Sequence, residues 1–462
     1  MSQNNYTDPL EIYSQNFVIK GIIDVYDSII WNDAYCGYGD FELKIPCEIA
    51  KKYNIEIGDC LRFSLSHKMM IVEGLSVNYE EDNSVIATYK GRSLESLLCR
   101  RILRKEDVPS IVPQYNESSE KYEKATLRYL QETVLYVLQR TIVQNNNISM
   151  QSRGIAQLGY SINDDESIGE MKAPYVDLDG MTVYEFIQSV LSYNGLGFKI
   201  EFNPAGHIGG SVDNRIIMFS IYNGANKGYN QIRTKRVIFT ADDDTTFKMD
   251  TEIDTSSYGN AAIIVGPKIM VMSKDEDNQP IVVETNKRFT TDLYSGVSGI
   301  NRYEIFVDTS SIPATNEYTN TIYPESYIVA QMRFRGIQSL KQHLSGDINH
   351  TMSVDFDPYK DYGPDKDYYL GDIVSVIDYF GNINNVRITG FTRSIDSSGI
   401  QAYPAFESLA PIGGYRAIEQ TENDEDVVRQ LEDDVSPEYN GAYRVTEHNN
   451  LELFDDTDIP DE

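Results

Sequence analysis

The sequence predicts a β-rich α+β protein in which two similar small β-barrels carry inserted mixed α/β domains. Three observations lead to this class. Short runs with an apolar residue at every second position, separated by turns containing Gly or Asn, recur along the 462-residue chain and indicate strands. One group of three such runs occurs twice. Two longer stretches between the copies have the apolar spacing of helices.

The repeated group is a three-stranded meander that opens with an apolar-Gly-Asp sequence. The later copy spans residues 370–407 and opens at Leu370-Gly371-Asp372, and the earlier copy spans residues 57–91 and opens at Ile57-Gly58-Asp59. Further matches pair Met70–Gly74 with Val386–Gly390, and Val85-x-Ala87 with Ile400-x-Ala402. Gly can take the positive φ that such a corner requires, and Asp can accept hydrogen bonds from the local backbone. Duplication of a small barrel is therefore predicted; the alternative is two unrelated meanders with common turn chemistry.

The first barrel is expected to span residues 15–92. Alternating strands are predicted at residues 17–25, 27–33 and 39–46, where Pro46 ends the last of them. Ser93 is then predicted to cap a short exit helix with Glu95 in its first turn. The four basic residues that follow have two interpretations, a favourable interaction with the helix dipole or contact with a phosphate or acidic group: Arg100, Arg101, Arg104 and Lys105.

The remaining elements fall on either side of two predicted helices, at residues 122–143 and from the cap Thr182 to Asn194-Gly195. A polar linker at 105–120 precedes them and a strand at 198–202 follows. Strands at 216–221, 236–240 and 261–265 are predicted to open the second barrel. An insertion over 267–345 ends in a short helix near 337–343, and the later meander closes the barrel.

These elements define a predicted domain order. It comprises a first barrel domain with exit helix (1–104), an inserted α+β domain (105–210), the first part of the second barrel (211–266), an inserted mixed domain (267–363), the closing meander (364–414) and an acidic tail (415–462). The tail is expected to be extended or disordered because it is polar and acidic. Alternatively, four apolar residues could anchor it as a strand on a neighbouring subunit: Tyr439, Tyr443, Leu451 and Phe454.

Charge and composition restrict the partners that this chain can have. The net charge is −31, of which residues 417–462 contribute −14 and the rest of the chain −17. General binding to nucleic acid is disfavoured because phosphate affinity needs a basic surface. No apolar run approaches the roughly 18–20 residues that span a bilayer, and the first residues lack a Sec-type signal. Four cysteines without CxxC spacing are expected to be reduced thiols: Cys36, Cys47, Cys60 and Cys99.

No residue pattern points to catalysis, so no catalytic, cofactor or metal site is predicted. Phosphate loops, nucleophile elbows and zinc-protease motifs are missing from the sequence. Asp242-Asp243-Asp244 and the group Asp355, Asp357 and Asp361 resemble calcium loops but lack the Gly and terminal Glu of that motif. Three function classes remain: a structural assembly protein, a wall- or glycan-degrading enzyme, and a monomeric adhesin or binding module.

The ordered motifs of the chain resemble those of siphophage tail-tip hub proteins, the baseplate hub family of long-tailed phages. The resemblance covers roughly residues 15–408 and rests on five segments: GDFELKIP (39–46), GRSLESLLCRR (91–101), NAAIIVG (260–266), GINRYEIFVD (299–308) and YLGDIV (369–374). No lysin-like sequence is recognised after residue 410, so a built-in peptidoglycan hydrolase is not expected.

The resemblance implies a homotrimeric ring at the end of the tail tube, in the virion and assembled in the host cytoplasm. Three chains with two tube-type barrels each would present six barrels to a sixfold tube. The implied partners are tail-tube and distal tail proteins, tip, fibre or receptor-binding proteins, and DNA in transit without specific binding. Carboxylates that repel DNA are expected to line the channel, with Glu80, Glu81, Asp82 and Asp396 as candidates.

Overall fold

The computed structural model describes most of the first 408 residues and two short segments beyond them. The described residues are 8–79, 84–116, 121–123, 125–143, 151–176, 178, 180–209, 211–232, 234–240, 248–254, 258–274, 280–294, 298–316, 321–344, 347–353, 365–377, 381, 383–396, 399–408, 442–445 and 451–454.

We call the two regions predicted as barrels the first and the second repeat. The first repeat contains seven strands and one α-helix. These elements are β1 (Leu10–Tyr13), β2 (Ile19–Ile23), β3 (Ser28–Ala34), β4 (Asp40–Pro46), α1 (Cys47–Tyr53), β5 (Cys60–Phe63), β6 (Met69–Tyr79) and β7 (Val85–Ser93). The predicted exit helix is a 3₁₀ helix over Leu94–Arg100. Helix α1 was not predicted. It follows Pro46 directly, because a residue that cannot continue a strand is well suited to the start of a helix.

The next part of the chain is the inserted α+β region. It contains β8 (Gln114–Asn116), β9 (Lys121–Glu123), α2 (Leu130–Thr141), β10 (Leu158–Tyr160), α3 (Glu166–Gly169), α4 (Val183–Tyr193), β11 (Gly197–Phe202) and β12 (Ile217–Tyr222). Helix α4 is confirmed with its cap: the Thr182 hydroxyl accepts from the Glu185 amide at 3.1 Å, and the Glu185 carboxylate accepts from the Thr182 amide at 2.7 Å. This reciprocal capping satisfies two amides that the helix itself leaves unpaired.

The remaining elements alternate between the second repeat and its insertion, except for the last two strands, which lie in the acidic tail and pair with each other. They are β13 (Ile238–Thr240), β14 (Lys248–Asp254), β15 (Ala261–Lys274), β16 (Pro280–Tyr294), β17 (Glu304–Asp308), β18 (Thr315–Asn316), β19 (Thr321–Ile322), α5 (Glu325–Leu344), β20 (Asp347–Ser353), β21 (Ile373–Ile377), β22 (Ile383–Asp396), β23 (Gly399–Ser408), β24 (Ala442–Val445) and β25 (Leu451–Phe454).

One eleven-stranded sheet runs through both repeats. Its order is β13-β21-β22-β3-β4-β7-β6-β5-β1-β2, and β23 pairs with β22 outside this path. The β-rich α+β class is thus confirmed. The prediction of two separate small barrels is not: in the described residues the strands of both repeats share one sheet, and its hydrogen-bonded path does not close. The reason is the length of β22, which pairs with β21 at one end and with β3 at the other.

Two strands predicted to open the second barrel belong to the insertions. Strand β12 is the middle of a three-stranded sheet, parallel to β10 and antiparallel to β11, and α2 and α4 contribute to the same buried core. Strand β15 pairs with β16 and β17, and α5 packs against them. Apolar alternation identifies a strand but not its partner. Of the three predicted opening strands, only β13 joins the large sheet, parallel to β21. The domain boundaries themselves stay a prediction.

Two helix predictions were wrong in extent. The helix predicted over 122–143 begins only at Leu130, because Lys121–Glu123 forms a hairpin with Gln114–Asn116. The short helix predicted near 337–343 is the end of the twenty-residue α5. Ser93 is the N-cap residue of the exit helix, as predicted, but its hydroxyl makes no capping bond and accepts from the Gly39 amide at 2.9 Å instead. A residue favoured at caps is equally able to bond across strands.

Candidate functional site

The repeated Gly-Asp corner has the same geometry in both copies. Gly58 has φ +93° and its amide donates to the Val72 carbonyl at 2.7 Å; Gly371 has φ +88° and donates to Ile388 at 2.7 Å. The backbone carbonyl of the next residue accepts a bond in return. The Asp59 carbonyl accepts from the Val72 amide at 2.8 Å, and the Asp372 carbonyl accepts from the Ile388 amide at 2.9 Å. The two corners therefore occupy equivalent places in their meanders, as the sequence predicted.

A buried carboxylate stabilises each corner. Asp59 accepts from the Glu56 amide at 2.8 Å and from the Lys20 ammonium at 2.7 Å. Asp372 accepts from the Tyr369 amide at 2.9 Å, and the Lys227 ammonium lies 2.7 Å from the same oxygen. Backbone and ammonium donors together satisfy a carboxylate that is removed from water. The sequence did not reveal the lysines, because they precede their aspartates by very different distances along the chain.

The pairing of the last two strands of each meander repeats as well. The pairing of β6 with β7 shifts register between Val72 and Gly74, and the pairing of β22 with β23 shifts between Ile388 and Gly390. Beyond these bulges, Val77 lies opposite Ala87 as Arg393 lies opposite Ala402. A bulge at the same position in both repeats gives the strand that follows it the same twist and register. The residues of β6 and β22 can therefore be equated one by one.

Alanine substitutions at the corners should separate backbone strain from crowding. A Cβ on Gly371 would lie 2.2 Å from the Tyr35 ring, whereas one on Gly381, with φ +80°, would meet no described atom within 4 Å. We expect Gly381→Ala to lose about 1–2 kcal/mol from its φ alone and Gly371→Ala about 1–3 kcal/mol more from overpacking. Gly58→Ala should lose an amount of stability closer to that of Gly381→Ala, because its new Cβ meets the Gln15 side chain, which can move away. Equal unfolding temperatures for the Gly371 and Gly381 variants would contradict this explanation.

The two repeats meet where the second half of β22 pairs antiparallel with β3. The register runs from Gly390 opposite Ala34 to Ile395 opposite Ile29. We call the contact between these two strands the repeat junction. It brings together charged residues that are far apart in sequence and that the sequence analysis did not single out.

A buried ionic cluster lies at the repeat junction. The Arg393 guanidinium donates to both Asp33 and Asp365, and the Ser66 hydroxyl lies 3.0 and 2.9 Å from the two oxygens of Asp33. Asp33 and Arg393 are both buried. Burial raises the pKa of the Asp365 carboxyl, and the charges of Arg393 and His67 oppose that rise. The cluster therefore joins β3 of one repeat to β22 of the other and to the segment that precedes the second corner.

Tyr35 contacts three parts of the molecule at the edge of the repeat junction. Its hydroxyl lies 3.2 and 3.3 Å from the carbonyls of Gly195 and Tyr222 in the inserted region, and it accepts from Arg387 at 3.3 Å. Burial raises the pKa of this hydroxyl to about 12, so it stays protonated and able to donate. Arg387 also donates to the Gly371 carbonyl at 2.8 Å. Tyr35 thus links the first repeat, the insertion and the second corner.

Glu95 and the basic residues after it make contacts within the chain. The buried Glu95 carboxylate accepts from the Lys68 ammonium at 2.7 Å and from the Ile200 amide at 3.1 Å, which ties the first repeat to β11. Arg100 pairs with Glu73 at 3.3 Å and Arg104 with Asp107 at 2.7 Å. Arg101 donates to the Arg153 carbonyl at 2.7 Å. The acidic neighbours of the basic group are therefore residues of this chain.

Several predicted features cannot be placed. Glu80, Glu81 and Asp82, both acidic groups that resemble calcium loops, and most of the acidic tail lie outside the described residues. Asp396 is described and is exposed at the end of β22. Within the described ranges, no three His, Cys, Asp or Glu side chains are grouped to hold a metal ion. Among the same residues, no helix has both the length and the apolar character needed to span a bilayer.

Comparison with known families decides the relationship that the motifs suggested. A family model described as Siphovirus ReqiPepy6 Gp37-like protein matches residues 9–406. The chain belongs to this family. The match covers both repeats and both insertions, and the prediction of a phage tail protein is confirmed at this level.

Solved tail proteins are similar to this Gp37-like chain at low identity. The 43 kDa tail protein of prophage MuSo2 from Shewanella oneidensis is 13% identical, with a TM-score of 0.49 over 87% of this chain and 98% of that one. A tail protein from Neisseria meningitidis MC58 is 12% identical, with a TM-score of 0.47 over 89% and 99%. Prophage tail protein gp18 from Listeria monocytogenes EGD-e is 13% identical, with a TM-score of 0.40 over 92% and 98%. A search of curated proteins gave no match.

Proposed function

We propose that this chain is a structural hub of the siphophage tail tip, which forms a homotrimeric ring at the end of the tail tube. The ring would close the tube and join it to tip, fibre or receptor-binding proteins in the virion, after assembly in the host cytoplasm. The observation that carries the proposal is the internal duplication, seen in the two Gly-Asp corners and the two matching bulges.

The duplication would let a threefold ring match a tube of sixfold symmetry. Three chains with two similar units each present six similar surfaces, which can face a tube built with sixfold symmetry. Membership in a siphovirus family supports this setting. The continuous sheet supports it as well, since it already arranges two equivalent units side by side within one chain.

The negative charge of the chain suits the wall of a channel through which DNA leaves the tail. Residues outside 417–462 carry −17 per chain, which gives −51 for three chains. Carboxylates on the inner wall would repel phosphate, whereas lysine or arginine would bind it and slow the transit of DNA. We propose that exposed acids at the strand ends, such as Asp396, contribute to this wall. No catalytic activity is part of the proposal.

The mass of the purified protein tests the proposal. Multi-angle light scattering should give about 158 kDa, three times 52.5 kDa, and electron microscopy should show a ring. A mass of 52.5 kDa at all accessible concentrations would contradict it and favour the monomeric binding module. A ring whose inner wall is net basic would leave the trimer intact but contradict the proposed channel.

A further inference from the structure

The second half of β6 is a strand with one edge unused. Beyond the bulge, Gly74–Tyr79 pairs with β7 on one side, and no strand in the described part of the chain pairs with its other side. The side chains that alternate along it are apolar and exposed: Leu75 is 47%, Val77 48% and Tyr79 82% accessible. An edge strand of this kind is a template for pairing with another chain.

The duplication shows what covers the same edge in the other repeat. The residues of β22 equivalent to Leu75, Val77 and Tyr79 are Phe391, Arg393 and Ile395, which are 1%, 2% and 6% accessible. They differ because β3 pairs with this half of β22 at the repeat junction. The open edge of β6 is therefore equivalent to the edge of β22 that pairs with β3, but it has no strand beside it in the described part of the chain.

The strand that would fill this edge is the second-repeat equivalent of β3. In the first repeat β3 pairs with β4 and β4 with β7; in the second, β14 pairs with β20 and β20 runs beside β23. Gly39-Asp40 at the start of β4 also matches Gly346-Asp347 at the start of β20. Among the described strands β14 is hydrogen-bonded to β20 alone, so none of them pairs with its other edge. Within one chain, β14 and the open half of β6 are separated by β20, β23, β22, β3, β4 and β7.

We propose that the second half of β6 in one chain pairs antiparallel with β14 of a second copy, with Ser76–Tyr79 opposite Thr251–Asp254, which repeats the β22–β3 contact between subunits. This inference rests on the proposed ring and specifies its interface. It is heterologous, one surface being β6 and the other β14, so it propagates head to tail until the ring closes. Aligning Asp40 with Asp347 equates Trp31 with Ile253 and Ile30 with Glu252. The expected register then places Val77 opposite Ile253 and Asn78 opposite Glu252.

Charges on the open edge should abolish assembly and leave each chain folded. The variant Leu75→Lys/Tyr79→Lys puts two ammonium groups into the proposed interface, while in the isolated chain both positions are exposed to water. Its mass by light scattering should fall to that of the monomer, while its circular dichroism spectrum should remain that of the folded wild type. The control Ile300→Lys/Phe306→Lys changes two exposed apolar residues outside the repeats and should retain the wild-type mass. Wild-type assembly by the edge variant would overturn the interface but not the ring; a monomeric wild type would overturn the ring itself.

Cross-linking between differently tagged chains tests the direction of the contact. A tagged Asn78→Cys chain and an untagged Glu252→Cys chain are co-expressed and treated with a short bismaleimide. The expected product is a covalent dimer that contains both chains. Its yield should be well above that of either variant treated alone. The single-variant samples measure the background from the four native thiols. Dimers formed equally by Asn78→Cys alone would indicate an isologous contact and overturn the proposed pairing. Trimers without any mixed product would overturn it as well.

Discussion

Arg393→Met should lower the free energy of unfolding of the two-repeat sheet by about 3–5 kcal/mol, because removal of one partner leaves buried charges uncompensated. Among the described residues of the repeat junction, Arg393 is the cation that pairs with both Asp33 and Asp365. Without it, the buried Asp33 carboxylate would lose its counter-charge or become protonated, and the partly exposed Asp365 carboxylate would lose its ion pair. Arg393→Lys should lose less, since an ammonium keeps the charge but cannot reproduce the fork that spans both acids.

The single tryptophan provides the measurement. Trp31 is buried in β3 opposite Arg393, so its fluorescence during urea unfolding follows the repeat junction itself. The matched control is Arg62→Met, which breaks the exposed pair with Glu11 in the same sheet and should change stability by less than about 1 kcal/mol. If both variants unfold at the same urea concentration, the ionic cluster does not stabilise the junction.

Tyr35→Ala should be the second most damaging substitution, with a loss of about 3–5 kcal/mol, the range for removing a large buried ring. The ring fills the space beside Gly197 and Gly371, where a Cβ on either glycine would approach it within 2.4 and 2.2 Å. Its removal leaves a cavity between the first repeat, the insertion and the second corner. Tyr35→Phe keeps the ring and should lose only about 1 kcal/mol, the net value of a buried hydrogen bond.

The two Tyr35 variants also distinguish packing from linkage between parts of the molecule. If Tyr35 connects the insertion to the repeats, limited proteolysis of Tyr35→Ala should release fragments near residues 195–222 before the wild type does, whereas Tyr35→Phe should resemble the wild type. Equal stability of the alanine and phenylalanine variants would show that the ring does not hold these elements together.

Local signals in the sequence were sufficient for several elements. The Gly-Asp corners, the capping box of α4 and the meander strands depend on contacts within a few residues, so residue type and spacing predict them. Helix α2 shows the limit: its apolar stripe suggested a start near residue 122, but a hairpin with Gln114–Asn116 takes the first residues. Cross-strand pairing overrode the helical pattern there.

By itself, the sequence determined that this chain is β-rich, that it contains one meander twice, and that its motifs follow those of a siphophage tail family. The tertiary structure decided how the copies are joined. Neither the pairing of β22 with β3, nor the ion pair between Asp33 and Arg393, nor the contact of Tyr35 with Gly371 leaves a mark in local spacing, since each joins residues more than 300 positions apart. An open strand edge is likewise invisible in sequence: Leu75-x-Val77 and Phe391-x-Arg393 have equivalent positions in their meanders, and only the presence of β3 beside one of them makes the other a vacant interface.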